Sequence, residues 1–141
     1  MGPRVAILLL FAAVLVACGS SSPSAESVVR AWSQELNSGD NEAAARLFAR
    51  GAEVVQAGTT IRLETQAQAV EWNAALPCSG KIVSIETRGD TARATFVLGD
   101  RAKSKCDGPG QRATAIVRVR HGKIVLWHQT STVTTTTGPS V

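Results

Sequence analysis

Side chains able to do acid–base or nucleophilic chemistry are few and scattered in this chain of 141 residues. It holds two histidines, eleven carboxylates, three cysteines and no tyrosine. Acid–base catalysis needs a donor and an acceptor within hydrogen-bond reach of one substrate, so the residues that matter are those that can pair. Asp40, Asp90, Asp100 and Asp107 each stand beside a glycine in turn-like sequence, where capping or solvent accounts for them. Glu86 is the one acid well inside a late strand-like run, with Ser84 on its face, and a lone strand glutamate is expected to face solvent. His121 precedes Gly122 in a turn. His128, in the final apolar run, is the one histidine placed to line an interior. No nucleophile–base pair forms from sequence neighbours, so no catalytic residue and no cofactor is assigned.

The cysteines carry a different chemistry. Cys78 and Cys106 belong to no C-x-x-C and have no histidine at ligand spacing, so no metal site is assigned. Cys18 closes an N-terminal segment with a basic start at Arg4 and thirteen apolar residues from Val5 to Ala17. That run is too short to span a bilayer, which takes ~20 residues, and matches the apolar region of an export signal. Leu15-Val16-Ala17-Cys18 resembles the bacterial lipobox. The resemblance implies that residues 1–17 are removed and that Cys18 is acylated, which anchors the chain to the extracytoplasmic face of a membrane. Residues 18–24, with Gly19-Ser20-Ser21-Ser22-Pro23-Ser24, read as an uncharged tether. Cys78 and Cys106 are then an even pair in an exported domain, where disulfides persist. Joining them closes a loop worth roughly 3–4 kcal/mol.

From Ser24 the apolar spacing is helical: Val28, Val29, Trp32 and Leu36 share a stripe that Gly39 ends. A second short helix is expected over Glu42–Ala49, capped by Asp40 or Asn41 and stopped by Gly51. Glu53–Gln56 and Thr59–Leu63 read as short strands about Ala57-Gly58. Thr65 caps a third helix that carries Ala69, Val70, Trp72 and Leu76 to Pro77. The period then becomes two. Lys81–Thr87 and Thr91–Leu98 form a hairpin about Arg88-Gly89-Asp90, whose spelling of an adhesion tripeptide is turn chemistry alone. Ala92, Ala94, Phe96 and Leu98 share one face, as do Ala113, Ala115, Val117 and Val119 of Arg112–Arg120. His121-Gly122 leads into a last strand, Lys123–Gln129. Helices followed by a run of strands give an α+β fold.

Val29-Arg30-Ala31-Trp32, Asn37-Ser38-Gly39-Asp40 with Ala43 to Phe48, and Gly122-Lys123-Ile124-Val125 followed by Trp127 resemble the nuclear transport factor 2-like superfamily, over residues 25–130. The resemblance implies a cone: about three helices on a strongly curved antiparallel sheet, with a pocket at the open end. Members include ketosteroid isomerase, SnoaL-type cyclases and non-catalytic binding domains, so fold alone leaves function open. The chain departs from the catalytic members, which place acids, histidines or tyrosines in an apolar pocket. Trp32, Phe96, Trp127 and His128 are the candidate pocket residues. On the last strand either Ile124, Leu126 and His128 or Val125, Trp127 and Gln129 face inward, and the second set is preferred.

From Cys18 onward the chain carries fourteen basic and eleven acidic residues, with the excess of positive charge after residue 80. Arg93, Arg118 and Arg120 fall on the outward strand face, and Arg101 to Lys105 form a basic stretch. These suit solvent, anionic headgroups or an acidic wall polymer; no nucleic-acid motif accompanies them. Residues 131–141, rich in threonine, read as a flexible tail. The expected function is binding of a small apolar ligand or an envelope protein. The alternative is an isomerase, dehydratase or cyclase that uses a pocket histidine or acid. A third reading is a homodimer or docking module built on the sheet face, against which the arginines argue.

Overall fold

The computed structural model describes residues 21–133, together with Gly2 and Gly19. Cys18, most of the expected signal segment and the tail beyond Val133 lie outside the described residues. Helix α1 (Ala25–Ser38) begins where Ser24 accepts the Ser27 amide at 3.1 Å, and ends at Gly39 in the left-handed region. Helix α2 (Asn41–Arg46) is capped by Asp40, which accepts the Ala43 amide at 2.8 Å.

α2 stops three residues short of the expected Ala49, and Phe48 opens strand β1 (Phe48–Gln56). The sheet captures this segment: the Ile124 amide donates to the Leu47 carbonyl at 2.8 Å, and Phe48 pairs with Ile124. Gly51 is therefore not a helix stop. It sits inside β1 at φ 77°, where the register against the last strand breaks between Phe48 and Glu53. A left-handed residue kinks the strand there, and only glycine adopts that conformation freely.

Strand β2 (Thr59–Leu63) follows a two-residue turn in which Ala57 and Gly58 both have positive φ, the geometry that matches strand twist. Helix α3 (Gln66–Ala75) carries a reciprocal cap between Thr65 and Gln68. Strands β3 (Ser79–Arg88), β4 (Thr91–Gly99), β5 (Arg112–Arg120) and β6 (Lys123–Val133) complete one sheet in the order β2-β1-β6-β5-β4-β3. The sheet is mixed, where antiparallel pairing was expected throughout: β1 and β6 run parallel because α2 returns the chain to the end at which both begin.

β6 extends to Val133, past the expected Gln129. Its two alternating sets do not stay separate. Val119 pairs with Ile124 but Arg118 with Leu126, so one extra residue, Val125, shifts the phase. Ile124 and Trp127 consequently both face inward and are buried.

The three helices cover the inner face of the sheet, and five aromatic rings gather there. The Trp32 ring centroid lies 4.2 Å from Trp127, 6.1 Å from Phe96 and 6.4 Å from Trp72. Phe48 joins through Trp72 at 5.4 Å. Each tryptophan removes roughly 150–250 Å² from water, so the cluster is a large part of the hydrophobic stabilisation. Trp32 also donates its indole N–H to Oδ1 of fully buried Asn73 at 2.8 Å, and Asn73 donates to the Ala69 carbonyl at 2.8 Å. Among the described residues the Trp127 indole N–H is buried without a partner.

Trp32→Phe strands the Asn73 carbonyl, whereas Trp127→Phe removes a donor that had no acceptor. In chemical denaturation Trp32→Phe is expected to cost about 1–3 kcal/mol more than Trp127→Phe. Equal losses would show that the buried hydrogen bond contributes nothing.

Candidate functional site

The inner face of the sheet is not wholly filled. A cavity of about 270 Å³ remains between the C-terminal half of α1, the segment after α3 and strands β3 to β6. Small side chains create it: buried Ala113 and Ala115 of β5 line it together with Trp32, and Gly80 of β3 leaves room for Phe96. A Cβ at Gly80 would lie 3.0 Å from the Phe96 ring. Trp32, Phe96 and Trp127 line the aromatic side, while Leu36, Leu76 and Leu98 add aliphatic wall. The polar contribution comes from Gln56, Gln111, Gln129, Ser79, Thr114 and Asp107. Gln56 and Gln129 are tied to each other at 2.7 Å across β1 and β6. Exposed Pro77, Asp107 and Gln111 mark the mouth.

The structure thus brings Trp32, Phe96 and Trp127 together and leaves His128 apart. The β6 bulge puts His128 opposite Ile116 on the other face, half-buried and outside the cavity lining. Glu86, Ser84 and His121 are exposed and also lie outside it. Among the described residues Asp107 is the one ionisable side chain in the lining apart from the paired Cys78. Sequence reasoning passed over Asp107 because a turn explained it, and over Gln56 because strand ends carry little pattern. Gln129 was legible by alternation with Trp127.

The mouth is held by two devices. Cys78 and Cys106 form a disulfide across 28 residues, which joins the segment after α3 to the β4–β5 loop. Arg101, in the same loop, donates to the Asn73 and Leu76 carbonyls at 2.7 and 2.8 Å and to the Asn41 side chain. The last carbonyls of α3 have no partner within the helix, and a guanidinium is suited to them. Burial lowers the Arg101 pKa from its ordinary value, but an arginine stays charged at neutral pH. The Asp107 carboxylate and both cysteine sulfurs lie within 4.8 Å of one another. The disulfide consumes both thiolates, so this trio does not supply a metal with the ligands its spacing suggests. A third tie fixes the edge: Asn37 accepts the Gly80 amide and donates to the Gly80 carbonyl, both at 3.0 Å, while Ser33 donates to that carbonyl at 2.9 Å.

Solved structures share the fold. A nuclear transport factor 2-like protein of unknown function from Cytophaga hutchinsonii aligns with a TM-score of 0.64 and 10% identity, over 79% of this chain and 92% of its own. The fold is nuclear transport factor 2-like. A protein provisionally called a ketosteroid isomerase, from Kribbella flavida, aligns with a TM-score of 0.64 and 15% identity over 85% of each chain. One provisionally called a polyketide cyclase, from Sinorhizobium meliloti, gives 0.60 and 16% over 74% of this chain and 94% of its own. No family model and no curated protein matches the chain. At such identities the nuclear transport factor 2-like cone is shared, and the site has to be read from its own side chains.

Arg101→Leu is expected to destabilise the domain by about 2 kcal/mol in denaturant titration, and Arg101→Lys to recover less than half of that, because one ammonium cannot span two carbonyls and an amide. Replacing both cysteines by serine is expected to cost about 3–4 kcal/mol. Full recovery by lysine, or indifference to cysteine removal, would show that these ties do not hold the mouth.

Proposed function

We propose that this chain is a membrane-anchored extracytoplasmic lipoprotein whose nuclear transport factor 2-like cone binds a small apolar ligand without transforming it. The cavity carries the reading: it has an aromatic and aliphatic lining, a few neutral polar groups and a single carboxylate at the mouth. Such a lining suits retention of an apolar body oriented by one or two hydrogen bonds. Acid–base turnover needs a second group within reach of the first, and no such partner lines this cavity among the described residues. The anchor rests on the lipobox-like run that ends at Cys18, outside the described residues, and on the disulfide, which suits an oxidising compartment. No helix among the described residues is long and apolar enough to cross a membrane. The proposed attachment is through lipid on Cys18.

A second reading has one observation behind it. Neighbours of this fold are provisionally called a ketosteroid isomerase and a polyketide cyclase. Asp107 would serve as base for a substrate whose acidic carbon reached the mouth.

Two measurements test the proposal. Mass spectrometry of the N-terminal peptide, with protein expressed in a bacterium that processes lipoproteins, is expected to show acyl mass on Cys18; an intact signal or an unmodified thiol removes the anchor. An environment-sensitive apolar dye is expected to brighten with the native chain and to lose at least about tenfold in affinity with Ala113→Leu, which fills the void while changing only apolar volume. Unchanged dye binding would place the ligand elsewhere. Turnover of a ketosteroid or cyclisable polyketide that Asp107→Asn abolishes would favour the second reading.

A further inference from the structure

We infer that the end of the domain where the tether joins is a basic docking surface for anionic lipid headgroups, which holds the cavity mouth away from the membrane. The inference rests on the proposed lipid anchor and adds an orientation to it. Pro23, the last tether residue before the α1 cap, packs on the β5–β6 turn: a Cβ at Gly122 would lie 3.1 Å from the Pro23 ring. That turn meets the β3–β4 turn through the Val119 amide, which donates to the Asp90 carbonyl at 2.8 Å. The α2–β1 junction reaches the same place, where Lys123 donates to the Arg46 carbonyl. Tether, two hairpin turns and this junction therefore form one end of the molecule.

The mouth is at the other end. α1 has 14 residues, about 21 Å at helical rise, and Gly39 at its far end packs on Ala102 of the loop that overhangs the cavity.

Charge separates along the same axis. The tether end carries Arg46, Arg88, Arg118, Arg120 and Lys123, all exposed, together with Arg50 and Arg62 of β1 and β2 beside Glu64 and Glu53, and with Asp90, which pairs with Arg120 at 3.6 Å: seven cations and three carboxylates. Glu26, in the first turn of α1, is neutralised by Arg30 at 2.8 Å. The rest of the chain from Cys18 onward carries seven cations and eight carboxylates, so the net positive charge resides at this end. The cations are also arranged. Arg88, Thr91 and Arg118 pair across β3, β4 and β5 in one row, and Arg120 faces Lys123 across the turn. The row lies on the outer face of the sheet, because neighbouring Ala92 and Val117 are buried inward.

Reach makes the surface effective. The five residue-to-residue steps from Cys18 to Pro23 span at most about 18 Å when fully extended, roughly two screening lengths at physiological salt. A cluster of cations held that close to anionic headgroups is drawn onto them. An acidic wall polymer would also attract the cluster, but only the membrane is fixed at this distance by the anchor.

The test uses the full lipidated protein in vesicles of phosphatidylcholine with and without phosphatidylglycerol, read by amide hydrogen exchange at Gly89-Asp90 and His121-Gly122. Exchange at both turns is expected to slow by about tenfold in the anionic vesicles alone. High salt should reverse the slowing, and a variant carrying Arg118→Gln, Arg120→Gln and Lys123→Gln should lack it. Unchanged exchange in strands β4 and β5 shows that this variant remains folded. Equal exchange in the two vesicles overturns the docking. Slowing by soluble polyglutamate but not by anionic vesicles overturns it in favour of a wall polymer. Absence of acyl mass on Cys18 in the same preparation removes the anchor and the proximity argument with it, whereas an acylated protein with lipid-insensitive turns removes the docking alone.

Discussion

The contact of Trp32 with Trp127 is the junction on which the rest of this domain depends. One ring comes from the middle of the first helix and the other from a central strand, and their centroids are 4.2 Å apart. Each belongs to a layer that cannot bury its apolar face alone. The Trp32 indole N–H adds a directional tie to Asn73 in the third helix, so a single side chain links all three parts of the fold. An aromatic pair supplies area with a broad geometric preference, and the hydrogen bond narrows which of many similar packings is adopted.

Around that junction the chain trades volume for space. Alanine occupies the inward positions of β4 and β5 where larger residues would close the core, and glycine occupies the edge position beside Phe96. Cavities cost stability in proportion to the missing contacts, so the domain recovers order at its rim. The disulfide, the Arg101 bonds to the end of α3 and the Asn37 clasp on Gly80 all act within the strand and loop segments that surround the opening. The clasp has a further effect on the sheet edge. A side-chain amide that meets both polar groups of Gly80 takes the place of a missing strand and blunts the edge at that point.

Much of this was legible because burial and alternation coincide. Arg112–Arg120 shows its inward alanines and valines directly in the sequence, and the structure keeps the strand bounds unchanged. Ser24, Asp40 and Thr65 announce helix starts because a short oxygen-bearing side chain satisfies an orphan amide. The misreadings fall where one residue type serves two purposes. Gly51 permits a left-handed conformation equally at a helix end and at a strand kink, and only the pairing of Leu47 and Phe48 with β6 decides between them. Val125 shifts the phase of β6 with no local signal, since flanking residues are apolar on both faces. For the site, Trp32, Phe96 and Trp127 stood out by size and placement. Asp107 did not, because its position over the cavity is set by a disulfide partner 28 residues away.

The position of β6 between β5 and β1 has a consequence for the order of assembly. Until that strand arrives, β1 and β2 form an isolated hairpin, and β3 to β5 form a separate meander whose β5 edge is open. Neither piece can bury the Trp32 ring fully, because the ring that packs nearest to it, Trp127, belongs to the missing strand. A chain delivered N-terminus first, whether from a ribosome or through a secretion channel, therefore completes its sheet only after residues near 133 have emerged. Late closure leaves two open sheet edges, on β1 and β5, each a template for pairing with a foreign strand until β6 arrives.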